Sequence, residues 1–194
     1  ERELNQHMVY SNFRGIRQIL KYDYKNDNVN LNLLSNDKWV NKLGILSKNN
    51  LIFELLINYY QYQDAIKVIK KYPNLQFIIN HTVWPIGVNS NNFEIWKKSI
   101  VSLSKLENTV IKLSGFGERD ASWDLENIKP FIEYSLEKFK IERCMFGSNF
   151  PVDKSFCQKT YIEYWDAYHT IISNFSDSEK NYLFFKNAEK IYKI

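Results

Sequence analysis

The sequence predicts a parallel α/β fold organised as one domain over residues 1–194. Three observations carry that expectation. Five short, apolar, β-compatible runs each stop at a polar residue. Segments with a helical apolar stripe separate successive runs, and the connections between them are short. At 194 residues the chain is long enough for one sizeable core.

Taken in order, Glu1-Arg-Glu-Leu-Asn-Gln reads as the middle of a helix with no cap before it, which points to a missing amino terminus. Residues 12–20 form the first expected strand, with a glycine inside it, and a loop rich in Asn and Asp follows. A helix is expected over Asp37–Lys48, capped by Ser35 or Asn36. Residues 51–57 form the second strand. The helix over 61–72 carries Ala65, Ile66, Val68 and Ile69 on one stripe and stops at Pro73. The third strand, 75–80, closes on His81 and Thr82, with Trp84-Pro85 just beyond. A polar loop leads to a helix over 93–106, and the fourth strand, 108–114, ends at Gly115 and Gly117. A loop at 120–124 precedes a helix over Leu125–Phe139. The fifth strand, 143–148, runs into Asn149 and Pro151, which withdraws a backbone donor. Two helices finish the chain, over 160–172 and 177–186, the second opened by a Ser176/Glu179 capping box.

Composition narrows the function classes. The net charge of +4 is modest, and lysines are scattered among Glu and Asp with short clusters such as Lys70-Lys71. A nucleic-acid binder gathers basic charge along one element, so that partner is disfavoured. No glycine-rich phosphate loop follows any strand, which argues against a Rossmann site. Two cysteines, Cys144 and Cys157, make no disulfide framework, and a reducing, cytoplasmic compartment is expected. No apolar run is long enough for a transmembrane helix, so no membrane partner is expected.

Residues two apart share a face of a strand, and counting back from the strand ends collects Arg17, Glu54, His81, Lys112 with Ser114, and Asn149. In a barrel such positions line the catalytic mouth. Each also has a bland reading. His81 is either a core imidazole bonded to a carbonyl or a ligand or general base. Lys112 snorkels from an edge strand or serves the mouth. Glu54 pairs with Arg17 or Lys112. Asn149 caps the next loop or acts in the site. Trp84 and Phe150 are plain core or walls of a pocket. Asp153, after the proline, is expected to be solvated.

Five motifs then occur in order: Phe13-Arg-Gly-Ile-Arg-Gln-Ile-Leu20, Phe77-Ile-Ile-Asn-His81, Val110-Ile-Lys-Leu-Ser-Gly115, Arg143-Cys-Met-Phe-Gly-Ser-Asn-Phe-Pro-Val152 and Lys186-Asn-Ala-Glu-Lys-Ile-Tyr192. Together they resemble the amidohydrolase-related proteins of the amidohydrolase superfamily, which include TIM-barrel hydrolases and lactonases of the fuconolactonase and pyrone-dicarboxylate lactonase type. The resemblance covers essentially the whole chain and is specific for the family, not for a substrate. It implies a (β/α)8 barrel of which about the last five β/α units are present. By that match the strands that carry a His-x-His pair of metal ligands are absent, and His7 does not replace them. The chain is then a fragment, the product of a truncated gene, or completed by another chain.

Carried over by position, His81 resembles the family histidine at a strand end, and a tentative metal ligand. Asn149 falls where many members have the aspartate of Gly-Ser-Asp-Trp-Pro, which binds metal or acts as a base; an amide takes no proton and ligates more weakly. Some members carry Gly-Ser-Asn-Phe-Pro, as here. Glu54 falls where the family usually has Asp. The resemblance implies a hydrolase acting on a lactone, ester or amide carbonyl of a small molecule. His81 and Asn149 are its catalytic residues, and Arg17, Glu54, Trp84, Lys112 and Ser114 contact substrate. A divalent, zinc-like metal and a metal-independent reaction both stay open. A homo-oligomer or a chain that completes the barrel is the expected protein partner. The competing expectation is a non-catalytic remnant with a binding or structural role.

Overall fold

The computed structural model describes residues 2–20, 32–84 and 91–194. The Asn/Asp-rich stretch after residue 20 and the segment from Pro85 into the polar loop lie outside the described residues. Five strands form one sheet: β1 (Gly15–Ile19), β2 (Ile52–Leu56), β3 (Gln76–Ile79), β4 (Thr109–Leu113) and β5 (Cys144–Phe146). They lie side by side in chain order and every pair is parallel. Sequential parallel strands joined by right-handed crossovers put all connecting helices on one face of the sheet. That is the winding of a β/α barrel, not of a doubly wound sheet.

After α1 (Arg2–Met8), the connecting helices are α2 (Asp37–Lys48), α3 (Tyr62–Lys71) and α4 (Asn91–Ser104). Between β4 and β5 a short α5 (Phe116–Arg119), in the stretch before the expected loop for which the sequence predicts no element, precedes α6 (Leu125–Phe139). The outer face of the sheet buries Phe53, Leu55, Phe77, Ile79, Ile111 and Phe146 against these helices in the main core. Each such side chain contributes about 1.5–3 kcal/mol by leaving water. Helix starts follow side-chain chemistry: Asn36 accepts the Trp39 amide at α2, and Asp124 accepts the Asn127 amide at α6. Strands are shorter than the apolar runs that announce them at both ends, because an apolar run continues past the point where the ladder stops.

The inner face carries a second, smaller core of Ile52, Ile78, Val110 and Met145. It is covered by the end of the chain. Helices α7 (Tyr161–Ile171), α8 (Asp177–Asn181) and α9 (Asn187–Tyr192) follow β5, with a wider, π-helical turn at Tyr182–Lys186 joining α8 to α9. The expected helix over 177–186 therefore runs on through Tyr192. Ala188, Ile191 and Tyr192 pack on the inner core, and Arg14 donates to the Tyr192 and Lys193 carbonyls. Among the described residues β1 is an edge strand, and its Ile19 is 60% exposed. No described helix is long and apolar enough to cross a membrane.

Asn187 explains its place in the last sequence motif. Its buried amide donates to the carbonyls of Ile141, 2.6 Å away, and Cys144, 2.7 Å away, at the start of β5. Asn187→Ala removes this donor from the Cys144 carbonyl, while the Ile141 carbonyl keeps the Cys144 amide, and is expected to lower stability by about 1–3 kcal/mol. Urea denaturation reads this as an earlier midpoint, and an unchanged midpoint would contradict the role.

Candidate active site at the carboxyl ends of the strands

Beyond β3 the backbone does something L-residues avoid. His81, Thr82, Val83 and Trp84 all have left-handed φ, at 54°, 49°, 52° and 55°. Each such residue costs about 1–2 kcal/mol, so the turn survives only where its surroundings dictate it. Here the buried Trp96 indole donates to the Thr82 carbonyl at 2.8 Å, the Trp84 amide donates to the His81 carbonyl at 2.8 Å, and Val83 is fully buried.

The turn swings the His81 ring toward β4. Gly115 admits it: with φ of 75°, a Cβ there would lie 2.6 Å from the ring. His81 Nδ1 is 2.8 Å from Ser114 Oγ, and Nε2 is 2.9 Å from a guanidinium nitrogen of Arg17. A guanidinium only donates. Nε2 must therefore accept, Nδ1–H donates to Ser114, and the ring is a neutral tautomer assigned from its partners. Trp84 meets the ring edge-on, with centroids 5.6 Å apart.

One layer down the inner face, Lys112 donates to Glu54 Oε1 at 2.8 Å, and the Tyr192 hydroxyl donates to the same oxygen. Lys112 does not snorkel from an edge, since β4 lies between β3 and β5. Burial pushes the Glu54 carboxyl up, but the Lys112 charge and hydrogen bonds from Lys112 and Tyr192 outweigh it and hold the carboxyl below its usual range. The buried Asn80 amide has no partner within hydrogen-bond geometry among the described residues, yet stands near enough to favour the Glu54 charge. Burial lowers the Lys112 pKa; Glu54 opposes the shift, and Arg17 adds to it. Arg17 lies opposite Glu54 in the β1–β2 register. Glu54 pairs with Lys112, and Arg17 brings a second cation to the same cavity of about 400 Å³, lined by Arg17, Glu54, Lys112 and Tyr192. A larger cavity of about 520 Å³, between α1 and α2, is lined mainly by apolar residues such as Phe13 and Trp39 and holds none of the candidate residues.

Asn149 joins a different group. Its Nδ2 donates to Asp153 at 2.7 Å and to Glu118 at 3.4 Å, so it acts as a donor and not as a cap. Asp153, expected to be solvated, is fully buried. The reason is that the Gly117 and Glu118 amides and the Tyr164 hydroxyl all converge on it. Gly117 allows this approach, because a Cβ there would stand 2.2 Å from the Tyr164 hydroxyl. Phe150 packs edge-on against Tyr161 and Tyr164. The strand-end reasoning thus finds the residues of one cluster, Arg17, His81, Ser114 and Trp84, and of one ion pair, Glu54–Lys112. It misses Asp153, Gly115, Tyr192 and Asn80. Of these, Asn80, Gly115 and Tyr192 carried a signal only as members of the ordered motifs, and Asp153 carried none.

The described residues do not by themselves fit a divalent metal. Both His81 nitrogens are engaged, one by a cation, and no described group of three or more His, Cys, Asp or Glu converges.

A sequence model of the amidohydrolase family matches residues 2–194. The uncharacterized protein y4mH of Sinorhizobium fredii is 34% identical over 98% of this chain and 64% of its own length. An L-rhamnono-gamma-lactonase of Scheffersomyces stipitis is 28% identical over 83% of this chain and 55% of that protein. An L-fucono-1,5-lactonase of Burkholderia ambifaria is 25% identical over 73% and 47%. The chain therefore spans 47–64% of the length of these curated relatives. Among solved structures, an amidohydrolase from Burkholderia multivorans with bound zinc superposes with a TM-score of 0.85 at 19% identity, over 100% of this chain and 70% of that one. Amidohydrolase 2 from Bifidobacterium longum subsp. infantis gives 0.67 at 19%, over 100% and 76%. A 2,6-dihydroxybenzoate decarboxylase from Rhizobium gives 0.62 at 12%, over 99% and 66%. These three share the fold.

The ion pair gives a pH signature. Because the folded Glu54 pKa is lowered, its contribution is complete above the ordinary glutamate range and is lost as pH falls through the lowered value. Glu54→Gln is expected to cost about 1–3 kcal/mol at pH 7, since both partners are only partly exposed. The gap to the unmodified protein should close on acidification, as read by urea titrations across pH. A gap constant with pH would contradict this.

Proposed function

The chain belongs to the amidohydrolase family, and from that premise we infer that it forms the carboxyl-terminal part of a barrel hydrolase. Its substrate is a small-molecule lactone, ester or amide, opened by water at the mouth of the strands. The observation that carries the reading is the His81 ring, held neutral between Arg17 and Ser114 on a strained turn. The lactonase names of two relatives support the ester or lactone branch of it.

In this mechanism Ser114 fixes the ring through Nδ1–H, so that Nε2 presents its lone pair. When the substrate carbonyl draws the Arg17 guanidinium onto its oxygen, Nε2 is released to accept a proton from water. The water oxygen bonds to the carbonyl carbon, and Arg17 with Lys112 stabilises the oxyanion. Collapse breaks the carbon–oxygen bond of a lactone, His81 returns its proton to the leaving alkoxide, and an open hydroxy acid departs. Asn149 orients water or substrate, and Trp84 walls the pocket. One observation favours a second reading, a non-catalytic remnant: at rest Arg17 occupies the Nε2 of His81.

Assays of aldonolactones and aryl esters by proton release, on the natural protein, separate the two. His81→Asn keeps the left-handed turn that Asn tolerates and is expected to lower kcat by about 10²–10⁴-fold. Absence of hydrolysis by the natural protein would favour the remnant, and full activity in His81→Asn would overturn the role of His81.

A further inference from the structure

We propose that Asp153 is a positioning residue that locks the Asn149 amide with its carbonyl oxygen free, making position 149 a neutral acceptor for a hydroxyl group in the site. The proposal deepens the hydrolase reading and rests on it for the identity of that hydroxyl, which belongs either to the attacking water or to the substrate.

Asp153 is fully buried, and its two oxygens are saturated. Oδ1 accepts the Glu118 amide at 3.1 Å and Asn149 Nδ2 at 2.7 Å. Oδ2 accepts the Gly117 amide at 3.0 Å and the Tyr164 hydroxyl at 2.5 Å. Four donors occupy the roughly four lone-pair sites of a carboxylate, so Asp153 has no capacity left to take a proton from water or to ligate an ion. Its action goes through Asn149. The Tyr164 proton is itself held in place: burial, and then the Asp153 bond and charge, push the phenol well above its usual range. Trp123 steadies the same hydroxyl from the other side, at 3.0 Å.

Asn149 is held at both ends. Its backbone is left-handed, at φ 56°, and its carbonyl accepts the Asp153 amide at 3.1 Å, while its side chain reaches Asp153 and Glu118. An amide flip would set the carbonyl oxygen against the Asp153 carboxylate and withdraw one of its four donors. The flip is thereby forbidden, and Nδ2 faces inward. Oδ1 makes no hydrogen bond among the described residues and stands at the carboxyl end of β5. A carboxylate at position 149 would repel Asp153 at the same distance. An amide there is the group that complements a buried carboxylate at 153 while still offering an acceptor.

The test starts with the unmodified protein. NMR of side-chain amides, with the Asn149 signal assigned by its loss in Asn149→Ala, is expected to show an Asn149 NH2 that is protected from solvent exchange and shifted downfield. A freely exchanging amide would overturn the proposal, whether or not any variant folds. In Asp153→Asn, with its fold checked by circular dichroism, the protection should vanish; its persistence would overturn the proposal. With a hydrolysed lactone in hand, Asp153→Asn and Asn149→Ala should each lower kcat/KM by about 10–100-fold. The double variant should be no worse than either single one, as expected of residues acting as a unit. Fully multiplicative losses would mean that Asp153 acts structurally and would sink the idea. A fall confined to kcat assigns the hydroxyl to water, and a rise in KM assigns it to substrate. If the natural protein hydrolyses no lactone or ester, the hydrolase reading fails while the amide measurement still decides the positioning.

Discussion

Four successive left-handed residues at the end of β3 are sterically expensive, and the Trp96 indole bonded to the Thr82 carbonyl is the contact that holds them. Without that turn the His81 ring would not cross to β4. It would not meet Ser114, and Arg17 on β1 would lose its partner. One local distortion thus links three strands that are not all neighbours in the sheet. Gly115 is part of the same device, since any larger residue would collide with the ring. A core tryptophan fully buried among Phe93, Phe131 and Tyr134 supplies the anchor, so the site borrows its rigidity from the helix layer.

Below this turn the inner face is governed by charge. Glu54 is shared between Lys112 and the Tyr192 hydroxyl, while Arg17 contributes a second cation. An imbalance of this kind favours a ligand with negative charge, or one that develops it, as a carbonyl does under attack. Tyr192 arrives from the far end of the chain, so α9 serves the site as well as the inner core. Arg14 on the carbonyls of Tyr192 and Lys193 secures the end of that helix to the start of β1.

Much of this was legible in the sequence, for reasons that differ by element. Helices α2 and α6 fall where expected because Asn36 and Asp124 cap them and an apolar stripe continues behind. The strands are recognisable but longer on paper, since apolar runs do not reveal where the ladder stops. Arg17, His81 and Ser114 could be grouped because strand ends of parallel units meet at one rim. Asp153 could not. Its donors are Gly117, Glu118, Asn149 and Tyr164, two of them backbone amides on α5, which no side-chain pattern announces. The α5 turn was hidden for a related reason, being only Phe116–Arg119 after a glycine-rich strand end. Nor does sequence periodicity predict four consecutive left-handed residues that include the β-branched Thr82 and Val83.

The central claim is that His81 stands as a neutral imidazole with Nδ1 protonated and Nε2 accepting from Arg17. The chain has three histidines, so ring nitrogen-15 spectra are simple to assign by substitution. The account predicts a neutral Nδ1–H tautomer for His81 near pH 7, with a proton that exchanges slowly through its bond to Ser114. It also predicts a shift of Nε2 in Arg17→Ala. An Nε2–H tautomer, or an imidazolium at that pH, would contradict the account, because neither can accept the guanidinium or take a proton from water.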